Sequence, residues 1–150
     1  MTRSLALVSL VTLASIGLAC GPFGPIPGGR LSGEVVSAPV EDWSFASGVE
    51  TIQLETRPDD PYSVNIWFVS QAARLWVGAG GGETSRWARN LIADPRVRLR
   101  IDGKLYERKA ERVSDQAELD AVTVLYQTKY KSERASEEWR KAVLFRMDPR

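Results

Sequence analysis

The residues best suited to chemistry lie together in one stretch, Ala79-Gly80-Gly81-Gly82-Glu83-Thr84-Ser85-Arg86-Trp87-Ala88-Arg89-Asn90. A strand runs into three glycines, and a helix bearing hydroxyls and arginines follows. Glycine lets a backbone approach a ligand closely and enter conformations closed to other residues. A helix N-terminus adds unpaired N–H groups and a partial positive charge, which suit a phosphate or a carboxylate. Thr84 and Ser85 add donors, and Arg86 is able to grip an oxyanion through two parallel hydrogen bonds. The chemistry expected of this stretch is the binding of an anionic tail. The same residues also suit a plain turn followed by the solvated face of a short helix, and the local sequence leaves both readings open.

The elements that must position this loop are mostly strands. Val49 to Glu55 alternates apolar and polar residues, as a half-buried strand does. Pro58 to Pro61, with two aspartates, predicts a turn. Tyr62 to Val69 and Arg74 to Ala79, joined through Gln71 and Ala72, predict an antiparallel hairpin. Arg96-Val97-Arg98-Leu99-Arg100-Ile101 is the clearest strand, with arginines on one side and aliphatics on the other. Asp102-Gly103 is a favoured hairpin turn, Lys104 to Val113 forms the return strand, and Ala142 to Met147 a last strand.

Two helices interrupt the strands. Thr84 to Asp94 places Trp87, Ala88, Leu91 and Ile92 on one face and is ended by Asp94-Pro95. Ser114-Asp115 can cap a second helix, in which Leu119, Val122, Tyr126 and Tyr130 recur at helical spacing. Antiparallel hairpins with segregated helices predict an α+β domain over residues 34–150, built as a small β-barrel with two helices.

Composition removes several function classes. The chain has no histidine and one cysteine, so Ser-His-Asp and Cys-His hydrolases are excluded and zinc or heme has few ligands to use. Residues 1–19 carry one charge, Arg3; beyond them 19 basic side chains balance 19 acidic ones. A neutral chain has no global drive toward nucleic acid. The charge is segregated, however. Residues 34–60 hold seven acids against one base, and residues 83–112 hold nine bases against five acids. Either the two segments pair with each other, or the second forms a local anion site.

Cys20, the single cysteine, follows a basic start at Arg3 and an uncharged run from Leu5 to Ala19. That run is shorter than the ~20 apolar residues of a spanning helix, and it has the anatomy of a secretory signal over residues 1–19. Ile16-Gly17-Leu18-Ala19-Cys20 resembles the lipobox of bacterial lipoproteins, in which the cysteine is acylated and becomes the new N-terminus. An ordinary signal peptide or membrane anchor with an incidental thiol is the other reading. Residues 20–33 are Pro/Gly-rich and read as a tether. The lipoprotein resemblance implies a bacterial envelope location. Cys20 would then anchor the chain on the outer side of the cytoplasmic membrane or in the outer membrane.

The barrel residues carry a second resemblance. The strand Tyr62-Ser63-Val64-Asn65-Ile66-Trp67-Phe68-Val69, the strand Arg74-Leu75-Trp76-Val77, the Gly80–Arg86 loop and Asn90-Leu91-Ile92-Ala93-Asp94-Pro95-Arg96-Val97 resemble the FMN-binding split barrel. That superfamily includes pyridoxamine-phosphate oxidase relatives and deazaflavin-dependent, nitroreductase-like enzymes. The resemblance implies a small antiparallel split β-barrel that binds FMN or a deazaflavin. The phosphate would lie at Thr84, Ser85 and Arg86, with Arg89 nearby, and the ring along Asn65, Trp67 and Gly80. It also implies a homodimer and a small-molecule redox substrate, a quinone or nitro-type acceptor, with no catalytic residue named. The cofactor performs the redox step, so the lack of histidine is no obstacle. A non-enzymatic envelope lipoprotein using the barrel for small-ligand or partner binding is the alternative, since fold does not imply function.

Overall fold

The computed structural model describes residues 21–131 and 142–150. In chain order the strands are β1 (Glu34–Val35), β2 (Thr51–Thr56), β3 (Tyr62–Gln71), β4 (Arg74–Ala79), β5 (Arg96–Ile101), β6 (Lys104–Arg112) and β7 (Val143–Pro149). The helices are α1 (Arg86–Ala93) and α2 (Gln116–Tyr130). The strands run β6-β5-β2-β3-β4-β7, and a β7–β6 pairing closes them into an antiparallel barrel. The two-residue β1 lies parallel to β6 on the outside. The fold is the expected α+β split barrel, with two helices among the described residues.

The two-residue period of β5 determines what fills the barrel. Val97, Leu99 and Ile101 are at most 2% exposed, while Arg96, Arg98 and Arg100 point outward. Strand β2 starts two residues later than its alternation suggests and continues through Thr56. Its inward Ile52 and Leu54 are buried, and so is the outward Glu55. Glu55 is buried because residues 21–31 lie across the outer face of β2 and β3. Gly28 pairs with Ser63 through two backbone hydrogen bonds of 2.8 Å, and the Ser63 hydroxyl donates to the Gly29 carbonyl at 2.7 Å. Leu31 is 2% exposed, and its N–H donates to the Glu55 carboxylate.

Local elements plug and cover the barrel. A single 3-10 turn at Ser44–Ala46 buries Trp43 and Ala46 in the core. Trp43 is held by its backbone N–H to the Ala72 carbonyl (2.9 Å) and its indole N–H to the Ala73 carbonyl (3.1 Å). Helix α1 is shorter than predicted, because Gly82–Thr84 winds as a separate 3-10 turn. It buries Ala88 and Leu91, and Trp87 meets Phe145 edge-on. Ile92, expected on the same face, is 50% exposed. The helix contacts the core along its 88–91 ridge, which leaves Ile92 on the flank.

Helix α2 starts as the sequence indicates, with the Asp115 carboxylate accepting the Glu118 N–H at 2.8 Å. Its Val122 and Tyr126 pack on Val69, Trp76 and Leu144, which face outward from β3, β4 and β7. The barrel therefore has an inner core and a second apolar layer under α2. The two segregated charge blocks do pair: Arg98 with Glu55, and Arg96 with Asp59.

Candidate functional site

Chain continuity keeps Gly80, Thr84, Ser85, Arg86 and Arg89 together between β4 and α1. Gly82 has φ 60°, the left-handed conformation that favours glycine, and this lets the strand fold directly into the 3-10 turn. The hydroxyl of Thr84 is already used, donating to the Gly81 carbonyl at 2.6 Å. Arg89 caps the same turn, donating to the Thr84 carbonyl at 2.9 Å. Ser85 occupies the N-cap position of α1, yet its side chain accepts no capping bond. Arg86 is exposed, and its guanidinium lies 4.3 Å from the centre of the Tyr62 ring. It has no carboxylate partner among the described residues. Neither Arg86 nor Arg89 meets a carboxylate among the described residues, and Arg86 is held by an aromatic face beside the uncommitted Ser85 hydroxyl.

Asn65 and Trp67 lie elsewhere, on the outer face of β3. Asn65 is half-buried and donates to the Gly24 carbonyl at 3.0 Å. Its amide is thus committed to the N-terminal segment. Trp67 is 41% exposed, with one face stacked on Tyr130 at 4.5 Å and 13° between the planes. The Tyr130 hydroxyl accepts from the Phe68 N–H (3.0 Å) and shares its proton between the carbonyls of Glu50 (2.8 Å) and Phe68 (2.9 Å). Burial pushes this phenol up to about 12. Beside it, Lys129 donates to the Phe68 carbonyl at 3.1 Å, and burial pushes its ammonium down to about 8. Tyr62, which supports Arg86, precedes Asn65 by three residues on β3, so the two side chains leave opposite faces of the strand.

A concavity of about 320 Å³ opens on the same outer face, lined by Thr51, Gln53, Asn65 and Arg100 with the Asp102–Gly103 turn at its edge. Sequence reasoning did not single out Gln53, Arg100 or Tyr62. The alternation of β5 places Arg100 outward, but only the β2–β5 register brings Gln53 opposite it. Among the described residues no group of three or more His, Cys, Asp or Glu could hold a metal ion. Cys20 and the signal-like residues 1–19 lie outside the described residues.

No protein of curated function matches the chain by sequence. Among solved structures, a conserved hypothetical protein of Mycobacterium tuberculosis has 24% identity and a TM-score of 0.61, covering 81% of this chain and 86% of its own. The heme storage protein HutZ of Vibrio cholerae has 21% identity and a TM-score of 0.59, covering 71% and 86%. An FAD-binding protein of Mesorhizobium loti has 15% identity and a TM-score of 0.55, covering 75% and 90%. At these identities the likeness is one of fold, and the fold is the split barrel. A family profile matches residues 47–145, nearly all of the barrel including the Gly80–Arg86 loop, so the chain belongs to the family described as uncharacterized protein conserved in bacteria (DUF2255).

Proposed function

We propose that this barrel binds a flavin-type cofactor, FMN or a deazaflavin, and transfers hydride to a small-molecule acceptor of the quinone or nitro class. Arg86 is the observation that carries the reading. It is exposed, supported by Tyr62 and free of any carboxylate among the described residues, with the Ser85 hydroxyl next to it. That donor set fits a phosphate tail. The FAD-binding relative supports a flavin on this scaffold. The bound cofactor would supply the redox chemistry. The chain's own part is to hold the phosphate at Arg86 and to offer the open face of Trp67 to an aromatic ring. A ring over Asn65 requires its amide to leave the Gly24 carbonyl, so the N-terminal segment must shift for that contact to form.

Heme, the ligand in the name of HutZ, suits this chain less well. Iron is ordinarily held by histidine, cysteine, methionine or tyrosine. Here there is no histidine, Cys20 lies outside the described residues, and Met147, Tyr106 and Tyr126 are at most 5% exposed. The Tyr130 hydroxyl is bonded to the Glu50 and Phe68 carbonyls, and Tyr62 sits under the Arg86 cation.

The signal-like N-terminus supports a chain tethered to the bacterial envelope through acylated Cys20, and the split-barrel resemblance supports a homodimer. Phe23 and Ile26 are 82% and 62% exposed on a tight turn that starts three residues after Cys20. Apolar side chains thus face outward beside the proposed anchor. No helix among the described residues is long and apolar enough to cross a membrane. A second reading, a non-enzymatic envelope lipoprotein with the same barrel, is favoured by one observation: the N-terminal segment already occupies Asn65.

Fluorescence titration of the purified full chain with FMN and with a deazaflavin separates the two. The oxidoreductase reading expects saturable binding at micromolar concentration. No change up to high micromolar concentration of both would replace it with the non-enzymatic one.

A further inference from the structure

Strand β5 presents three arginines on one face, and two of them are neutralised within the fold. Arg96 is paired with Asp94 at 2.6 Å and with Asp59 at 2.9 Å. Arg98 is paired with Glu55 at 2.7 Å. The third, Arg100, faces Gln53, the residue two before Glu55 on β2, and donates from Nη1 to its amide oxygen at 3.0 Å. No carboxylate reaches it among the described residues. Its Nε–H is the one buried side-chain donor with no partner among the described residues. A buried unpaired donor is costly, and a native protein normally satisfies it. Arg100 is also the member of the three that lines the 320 Å³ concavity, together with Thr51 and Asn65.

We propose that this concavity is a binding site for a small molecule bearing a carboxylate, which supplies to Arg100 the partner that Glu55 supplies to Arg98. A carboxylate in the concavity meets the Arg100 guanidinium with Thr51 beside it, and the Asn65 amide joins only on leaving the Gly24 carbonyl. The exposed Asp102 at the edge repels a multiply charged group, so a monoanionic carboxylate is preferred over the phosphate dianion. At about 320 Å³ the space falls at the small end of ordinary ligand sites. The proposal does not depend on flavin binding, because its residues, apart from Asn65, are not those assigned to the cofactor.

The test is calorimetric and thermal-shift titration of the flavin-free full chain with acetate and with inorganic phosphate at matched ionic strength. Saturable binding of acetate, tighter than phosphate, is expected. Arg100→Gln should weaken it at least tenfold. Gln53→Glu should do the same, because it gives Arg100 an internal carboxylate as Glu55 does for Arg98. If Arg100→Gln fails to fold, Gln53→Glu alone still decides. Absence of saturable acetate binding, tighter phosphate binding, or acetate affinity unchanged in Gln53→Glu would each overturn the proposal.

Discussion

Glu55 on β2 and Arg98 on β5 face each other across the sheet, and the guanidinium meets both carboxylate oxygens at 2.7 Å. Glu55 is 1% exposed, so this is a buried ion pair. It also holds the N-terminal segment from both sides: Glu55 accepts the Leu31 N–H, and Arg98 donates to the Leu31 carbonyl at 3.3 Å. One pair therefore joins two strands of the barrel to the segment that covers them.

Removing one member of such a pair leaves an uncompensated buried charge. Glu55→Gln is expected to destabilise the protein by about 3–5 kcal/mol and to release residues 21–31 from the sheet. Urea unfolding measures the first effect, and amide exchange at Gly28 and Leu31 measures the second. Intact protection at Leu31 in this variant would disprove the clamp.

Lys129 and Tyr130 give the stability profile opposite slopes at alkaline pH. The folded Lys129 loses its proton near 8 and the unfolded one near 10.5, so between these values the unfolded chain binds more protons. This group therefore raises stability as pH rises from about 8 to 10.5. Tyr130 keeps its proton to about 12 when folded but only to 10.0 when unfolded, so it lowers stability across that range. Urea midpoints from pH 7.5 to 10.5, compared between wild type and Lys129→Met, check this. The substitution should abolish the Lys129 contribution to the rise, and an identical profile would refute the burial of its ammonium.

Arg86→Ala should separate binding from folding. The loss of a charge-assisted contact to a phosphate costs about 1.5–3 kcal/mol of flavin affinity. The lost stacking on Tyr62, at an exposed site, costs only about 0.5–1 kcal/mol of stability. Fluorescence titration and thermal unfolding of the same variant measure the two. Equal flavin affinity would remove Arg86 from the site.

Cys20→Ala tests the tether. The variant should move from the membrane fraction to the soluble fraction of the envelope, and radiolabelled fatty acid should no longer be incorporated. Unchanged fractionation would reject acylation as the sole anchor.

Much of the barrel was legible from local pattern alone. The alternation of Arg96 to Ile101 needs no partner to say which side chains face inward, because a strand inverts its faces at every residue. The Asp102-Gly103 turn and the Asp115 cap are equally local, each set by the conformational or hydrogen-bonding preference of one or two residues. The clustering of Thr84, Ser85, Arg86 and Arg89 follows from chain continuity. Their individual fates do not: the Thr84 hydroxyl turned back to Gly81, and Arg86 settled on Tyr62, a strand away.

What only tertiary structure decided is who faces whom. Arg98 and Arg100 are identical in type and in face, and their difference comes from partners 43 and 47 residues distant that a one-residue change in register would exchange for others. The Pro/Gly-rich residues after Cys20 form no regular element, yet they lie on the sheet because Ser63 and Glu55 offer matching hydrogen bonds. Ile92 shows the same limit, since helical spacing defines a face but not the angle at which a short helix meets its core. Periodicity is a property of the backbone and is written locally; pairing is a property of the closed barrel, and it gives Arg98 a carboxylate and Arg100 a cleft.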